Sequence, residues 1–329
     1  MESTKAHYTD INKLVRRSSL IFPVNVSRFV EKAYTRGVDC IVMDLEDSVP
    51  IAEKKTARSM VKESIPVVGK GGSDIAVRIN RPIKESRLDL EASVWPGLTC
   101  VNLPKVESAE EVTLRADIIS ELERSRDIEE GSIQIAVAVE TALGVIKAFE
   151  IASASPRIVT IGVGAEDLTQ EMGIQTTAEG RELWYARSKV LMDAYAAGIQ
   201  PMGLIGVEPF TWGEHEKTYD AAVNSRNLGY KGAQSIHPAP IPYINKGFSI
   251  PADEVQRMRE TIHAFDEGVK KGTASVNVDG RMIDIASVER SKRILERASA
   301  ISEMEERKEK AMRDPGKLEE KLRSAIEKT

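Results

Sequence analysis

The chain has 329 residues, 41% of them hydrophobic, a formal net charge of -5 and a pI near 5.7. That length suits one large α/β domain with an extension, or two ordinary domains, and the acidic balance supplies no global field for nucleic acid. The polar start Met1-Glu2-Ser3-Thr4-Lys5 leads into no signal-peptide core, and no apolar stretch approaches the roughly 20 residues that span a bilayer. A cytoplasmic protein with neither nucleic-acid nor membrane partners is expected. Cys40 and Cys100 each sit inside an apolar run with no CxxC, which reads as buried thiols.

In chain order, β-branched runs predict strands at residues 19–23, 40–45, 75–80, 99–104, 133–140, 158–163, 200–207 and 232–236. Helical spacing fills the gaps, through Phe29, Ala33 and Tyr34 before Gly37, then over 108–126, 183–197, 215–228 and 252–271. Parallel strands buried on both faces read as continuous apolar runs, as 133–139 does. A strand-helix beat repeated eight times closes into a (β/α)8 TIM barrel, α/β in class. An open doubly wound sheet is the alternative, but no GxGxxG follows the first strand.

After residue 250 the pattern changes. Asp279-Gly280 between two short apolar runs signals a type I′ hairpin, Asp284 comes next, and Ser287 precedes a helix through Ile294, Leu295 and Ile301. The run Glu303-Met304-Glu305-Glu306-Arg307-Lys308-Glu309-Lys310 reads as a solvated or frayed helix, or as an oligomer contact. The expected division is a barrel over 1–250, a connecting helix and hairpin-helix appendage over 251–303, and a charged helical tail over 304–329.

Barrel chemistry belongs at the C-terminal strand ends. Those ends place Phe22, Glu46, Asp47, Arg78, Lys105, Glu140, Glu166, Asp167, Glu208, Pro209 and His237 around one mouth. Glu140 and Asp167, with waters and a bidentate substrate, suit Mg²⁺; the four histidines have no zinc-ligand spacing. Equally, the two acids read as caps or salt-bridge residues, with Asp167 capping the segment after it. Arg78, between Val77 and Ile79, needs an anion: Glu46 or Asp47 on the second strand, or a substrate carboxylate or enolate oxygen. His237 reads as a packed residue, and Asp284, from its position alone, as the N-cap of the helix after it.

In their order, Arg17-Ser18-Ser19-Leu20, Met43-Asp44-Leu45-Glu46-Asp47-Ser48-Val49, Arg78-Ile79-Asn80, Leu103-Pro104-Lys105-Val106, Val139-Glu140-Thr141-Ala142-Leu143-Gly144, Gly164-Ala165-Glu166-Asp167-Leu168 and Ser235-Ile236-His237-Pro238 resemble the HpcH/HpaI aldolase and citrate lyase β-subunit family. The similarity covers about residues 16–303. The segment 279–287 is most similar to that of malyl-CoA and citramalyl-CoA lyases. The resemblance implies Mg²⁺ (or Mn²⁺) on Glu140 and Asp167, and Arg78 stabilising a thioester enolate. It also implies Asp284 exchanging a proton with the enolate carbon, and Glu46 and Asp47 supporting Arg78 and metal-bound waters. It implies a coenzyme A contact at Lys32, substrate contacts at Phe22, Glu166, Glu208 and Pro209, and a homo-oligomer, trimer or hexamer, whose appendage is a lid over a neighbour's site. The activity implied is cleavage of a 3-hydroxyacyl-CoA to an acyl-CoA and glyoxylate or pyruvate. An aldolase using free hydroxy-oxo acids and a carrier-protein citrate lyase subunit are the alternatives. Pro23-Val24-Asn25-Val26 and His237-Pro238-Ala239-Pro240 depart from the family at the mouth, on the coenzyme side.

Overall fold

Strand β1 (Ser18–Pro23) opens a run of eight parallel strands, followed by β2 (Cys40–Asp44), β3 (Asp74–Arg78), β4 (Cys100–Leu103), β5 (Gln134–Val139), β6 (Ile158–Val163), β7 (Gln200–Met202) and β8 (Ala233–Ser235). This computed structural model describes residues 11–177, 179–206, 215–278 and 280–329. Each strand pairs with the next from β1 to β7, and β8 pairs with β1 through Ser18 and Ala233. The ring is completed by a parallel bridge between Met202 and Gly232, with Gly203 N donating to Gly232 O at 2.8 Å. Gly232 is required at this seam, because a Cβ there would collide with the Arg16 carbonyl oxygen. The barrel is therefore the observed fold, and the open sheet is excluded by the β1–β8 pairing.

β-strand alternation divides the side chains into two sets. Ile41, Met43, Ile79, Leu103, Ile135 and Ile161 belong to the large cluster under the helices and are fully buried. The opposite set, Ile21, Cys40, Val42, Ala76, Cys100 and Ala136, packs together inside the barrel, where small side chains fit the narrow bore. Both cysteines are free and buried there. Continuing the inward set by two residues brings up Asp44, Arg78, Asn102 and Ala138, and two further along that last strand comes Glu140, which is why polar groups cap an apolar interior.

β7 ends at Met202 rather than 207: a Cβ at Gly203 would come within 2.6 Å of the Tyr230 ring, so the chain hugs that ring as it leaves the sheet. Val207, Glu208, Pro209 and Phe210 lie outside the described residues, as do His7 and Asp279.

Two compact units result. Of the described residues, the barrel unit comprises Ile11, those within Arg16–Phe248 and Arg307–Thr329; the second comprises Asn12–Val15 and those within Ser249–Glu306. The second unit holds the helix Ala252–Lys270 and an antiparallel hairpin, β9 (Val276–Val278) with β10 (Arg281–Ile283), Gly280 having φ 78° at the turn. The final part differs from the expected solvated tail. The helix Ile285–Arg313 runs unbroken through the charged segment, and its last turn groups with the barrel because Lys308 is buried against Asp39, 2.8 Å away. Asp314 then caps the helix Pro315–Glu327, which buries Ile326. Among the described residues no helix is long and apolar enough to cross a membrane.

Candidate active site at the C-terminal strand ends

A cavity of about 390 Å³ opens at the C-terminal ends of the barrel strands, within the size range of small-molecule sites. Arg78, Asn102, Glu140, Glu166, Asp167 and Arg187 line it. Glu140 directly follows β5, 5% exposed, and its Oε2 has no hydrogen-bond partner among the described residues. Asp167 sits in the first turn of the helix Ala165–Met172 that begins just beyond β6. Burial, the adjoining Asp167 carboxylate and the charge of Glu46 together push the Glu140 carboxyl up to about 8. Gly164 makes this crowding possible: a Cβ there would stand 2.5 Å from Glu140 Cγ and 2.8 Å from Cδ.

Arg78 is held by its neighbour in register. Asp44 and Arg78 are paired positions of β2 and β3, both facing the bore, and they form a bidentate ion pair with both contacts at 2.7 Å. Burial alone would raise the Asp44 carboxyl, but the Arg78 hydrogen bonds and charge outweigh it and hold it below the usual carboxylate range. The same pair outweighs burial at the guanidinium and raises Arg78. Glu46 reaches Arg78 Nη1 at 3.1 Å, as one of the two readings of Arg78 anticipates, whereas Asp47 does not pair with it. Asp47 instead takes Lys105, whose Nζ stands 2.6 Å from Asp47, 2.7 Å from Glu46 and 3.6 Å from Asp167. Lys105 adopts a left-handed backbone, φ 53°, which is uncommon for a residue with a side chain and aims the ammonium across the acidic mouth. Asp44, seen in sequence only within the Met43–Val49 motif, and Lys105, named at its strand end, are thus partners without a role assigned from sequence; register and backbone conformation carry their roles.

The remaining expected residues scatter. Glu166 is exposed and lines the cavity. Phe22 is absent from its lining: 7% exposed, it belongs to the core cluster and meets Phe29 edge-on at 6.3 Å. Lys32 is exposed near the end of the helix Ser27–Ala33, also away from the lining. His237 Nδ1 accepts from Ala239 N at 3.2 Å. Asp284 belongs to the second unit, where Oδ1 accepts from Ser287 N and Oγ, both at 2.9 Å; the backbone N–H foremost holds this carboxyl below its ordinary range.

The carboxylate pair fits a hard divalent cation. An orphaned buried oxygen, a glycine-lined recess and two acids crowded enough to hold a proton are what a missing positive charge would relieve. Among the described residues no cluster of three or more His, Cys, Asp or Glu is gathered for a metal. Two carboxylates leave open positions for water and substrate, as Mg²⁺ coordination commonly does, and offer no closed zinc set.

Fold and mouth define a class: a (β/α)8 enzyme with its chemistry at the C-terminal strand ends. The chain belongs to the HpcH/HpaI aldolase/citrate lyase family, which it matches over residues 17–238, and it is accordingly a lyase. It is 34% identical over 293 residues to a citrate lyase subunit beta of Leuconostoc mesenteroides subsp. cremoris, covering 88% of this chain and 95% of that one. To an L-malyl-CoA/beta-methylmalyl-CoA lyase of Cereibacter sphaeroides it is 29% identical, covering 87% and 95%. Among solved structures, the CitE protein of Mycobacterium tuberculosis in complex with magnesium, acetoacetate and coenzyme A superposes with a TM-score of 0.68. It has 26% identity and covers 87% of this chain and 99% of that one.

Proposed function

We propose that the protein catalyses Mg²⁺-dependent, reversible carbon–carbon cleavage of a 3-hydroxyacyl-CoA such as malyl-, methylmalyl- or citramalyl-CoA, giving a shorter acyl-CoA and a 2-oxo acid. The observation that carries this reading is the buried Glu140 carboxylate, whose Oε2 has no hydrogen-bond partner among the described residues, beside Asp167 in a cavity that Arg78 also lines. Glu140 and Asp167 would hold Mg²⁺, which when bound supplies Lewis-acid polarisation of the hydroxyl or carbonyl oxygen next to the substrate carboxylate. Arg78 is oriented by Asp44 so that its cavity face stabilises the negative charge that develops on the thioester oxygen as the bond breaks. In that step the hydroxyl proton passes to solvent, the C–O bond becomes the carbonyl of the 2-oxo acid, the C–C bonding pair passes into the thioester as an enolate, and the enolate carbon takes up a proton.

Asp284 is the residue we assign to that carbon. Its lowered pKa makes the ionised form the resting one, which suits the base of the condensation direction; in cleavage it first takes a proton and then gives it to the enolate. Lys32, Phe22, Glu166, Glu208 and Pro209 remain our candidates for substrate and coenzyme contacts, Phe22 acting from the core. A homo-oligomer, trimer or hexamer, in which the second unit serves as a lid over a neighbour's site, belongs to the same proposal.

The identity to a citrate lyase subunit beta favours a second reading, a subunit that works on a thioester carried by another protein. Purified protein with Mg²⁺ and malyl-CoA or citramalyl-CoA decides between them: release of glyoxylate or pyruvate, trapped as the phenylhydrazone, is expected. Activity only with a free hydroxy-oxo acid, or only with an added acyl carrier protein, would overturn the CoA lyase.

A further inference from the structure

The turn after β2 carries Glu46, whose carboxylate stands between Arg78 and Lys105. Its side-chain contacts hold it loosely. Oε1 accepts from Lys105 at 2.7 Å, but the buried Oε2 receives no hydrogen bond among the described residues, and its 3.1 Å approach to Arg78 Nη1 is an ion pair alone. The direction of Glu46 is therefore set by its main chain.

That main chain is gripped from the helix layer. Lys54, the first residue of the helix Lys54–Gly69, has three ammonium protons and three acceptors: Leu45 O at 2.7 Å, Glu46 O at 2.6 Å and Asn80 Oδ1 at 2.9 Å. Asn80, two residues past β3, is fixed in turn. Its Nδ2 donates to Leu45 O at 2.9 Å and to Asp89 Oδ2 at 2.7 Å, and Asp89 Oδ1 accepts from Arg58 Nε at 2.6 Å, one turn along the same helix as Lys54. A single helical turn thus clamps the ends of the two strands that supply Asp44 and Arg78. Lys54 is itself absent from the cavity lining.

We infer that Lys54 is a positioning residue: it acts through Glu46, whose carboxylate it sets against Arg78 Nη1 and Lys105. Asp44 holds Nε and Nη2 of Arg78, and Glu46 at the third nitrogen keeps the guanidinium from swinging about that pair. A group that meets charge developing in the transition state loses much of its effect when displaced by about 1 Å. This rests on the lyase reading above, and goes beyond it by adding a helix residue remote from substrate to the machinery.

The test combines kinetics of Lys54→Met, Glu46→Gln and the double variant with melting curves and crystal structures of the wild type and Lys54→Met. The methionine variant is expected to fold, because Leu45 O keeps Asn80 Nδ2 and Glu46 O keeps Val49 N as donors. Its kcat should fall roughly ten- to a hundred-fold with KM for the CoA substrate within about three-fold, the signature of an interaction made in the transition state. In the Glu46→Gln background the same change should cost less than about two-fold, since its route is already cut. In its crystal structure Glu46 should have left Arg78 Nη1. Wild-type kcat with a lowered melting temperature would make Lys54 a structural anchor and overturn the inference. Losses that multiply in the double variant, or a Glu46 that has not moved, would overturn it as well. Should the methionine variant fail to fold, Lys54→Gln decides: its amide is too short to reach all three oxygens, so a fall in kcat that vanishes in the Glu46→Gln background is expected, and wild-type kcat counts against the inference. A wild type that cleaves no CoA substrate defeats the lyase reading separately, and the position of Glu46 in the two crystal structures then still decides the role of Lys54.

Discussion

At Glu140 the fold tolerates an unfavourable charge, and the cost depends on pH. With the carboxyl at about 8 in the folded protein and 4.5 as the ordinary value, the folded state holds a proton between those limits that the unfolded chain has lost. The folded state binds more protons, so this group makes stability fall as pH rises through that window. A divalent cation favours the ionised carboxylate and works in the other direction. Saturating Mg²⁺ should therefore raise the melting temperature on the order of 5 °C near pH 8.5 and far less near pH 5. Glu140→Gln should flatten the pH dependence and remove the Mg²⁺ response; a response surviving in that variant would put the ion elsewhere. Asp284 poses a different question, because its capping contacts to Ser287 are compatible with a purely structural role. Asparagine is nearly isosteric and caps well, so Asp284→Asn should leave the melting temperature in place while kcat falls by orders of magnitude at little-changed KM. A lowered melting temperature with intact kcat would make the residue a cap and nothing more.

Among the elements, the strands were legible because parallel strands covered on both faces announce themselves as apolar runs, and their ends follow directly. Thus Glu140 and Asp167 could be placed at one mouth from sequence, and the structure lines one cavity with both. Pairing in register could not be read: Asp44 opposite Arg78 depends on how β2 and β3 align, which one strand alone does not state. Nor could a left-handed lysine be told from ordinary surface charge. Lys308 illustrates the same limit, since in a run of alternating charges nothing marks the one residue that turns inward to Asp39. Gly164, at the strand-to-helix turn after β6, joins the two acids structurally. Gly164→Ala would drive its methyl into Glu140 Cγ, so we expect a folded barrel whose Mg²⁺ requirement for activity rises at least roughly ten-fold, the cost of displacing one ligand. An unchanged Mg²⁺ dependence would mean that Glu140 is not a ligand.

For the barrel unit taken whole, the two ends of the strands have separate duties. Glu140 and Asp167 stand at the C-terminal ends, while Asp39 and Asp74, at the N-terminal ends of β2 and β3, receive Lys308 and Arg307 at 2.8 Å each. Asp39 is fully buried and also takes a bidentate pair from Arg17, so the junction keeps a counter-charge even without the lysine. Beyond it, the helix Pro315–Glu327 packs on the helix Lys54–Gly69. Leu322 fills the space beside Gly69 and Gly97, Ile326 enters the core, and Lys70 pairs with Glu319 at 2.6 Å. A chain ending at Asp314 would uncover two aliphatic side chains and their seats, worth about 3–5 kcal/mol by area burial. Its barrel should melt several degrees lower, while KM and kcat, measured below the new transition, stay within about two-fold, since chemistry and stability sit at opposite ends of such barrels. Thermal melts paired with steady-state kinetics would check this. A collapse of kcat at unchanged melting temperature would instead make the last helix part of the working site or of the assembly that completes it.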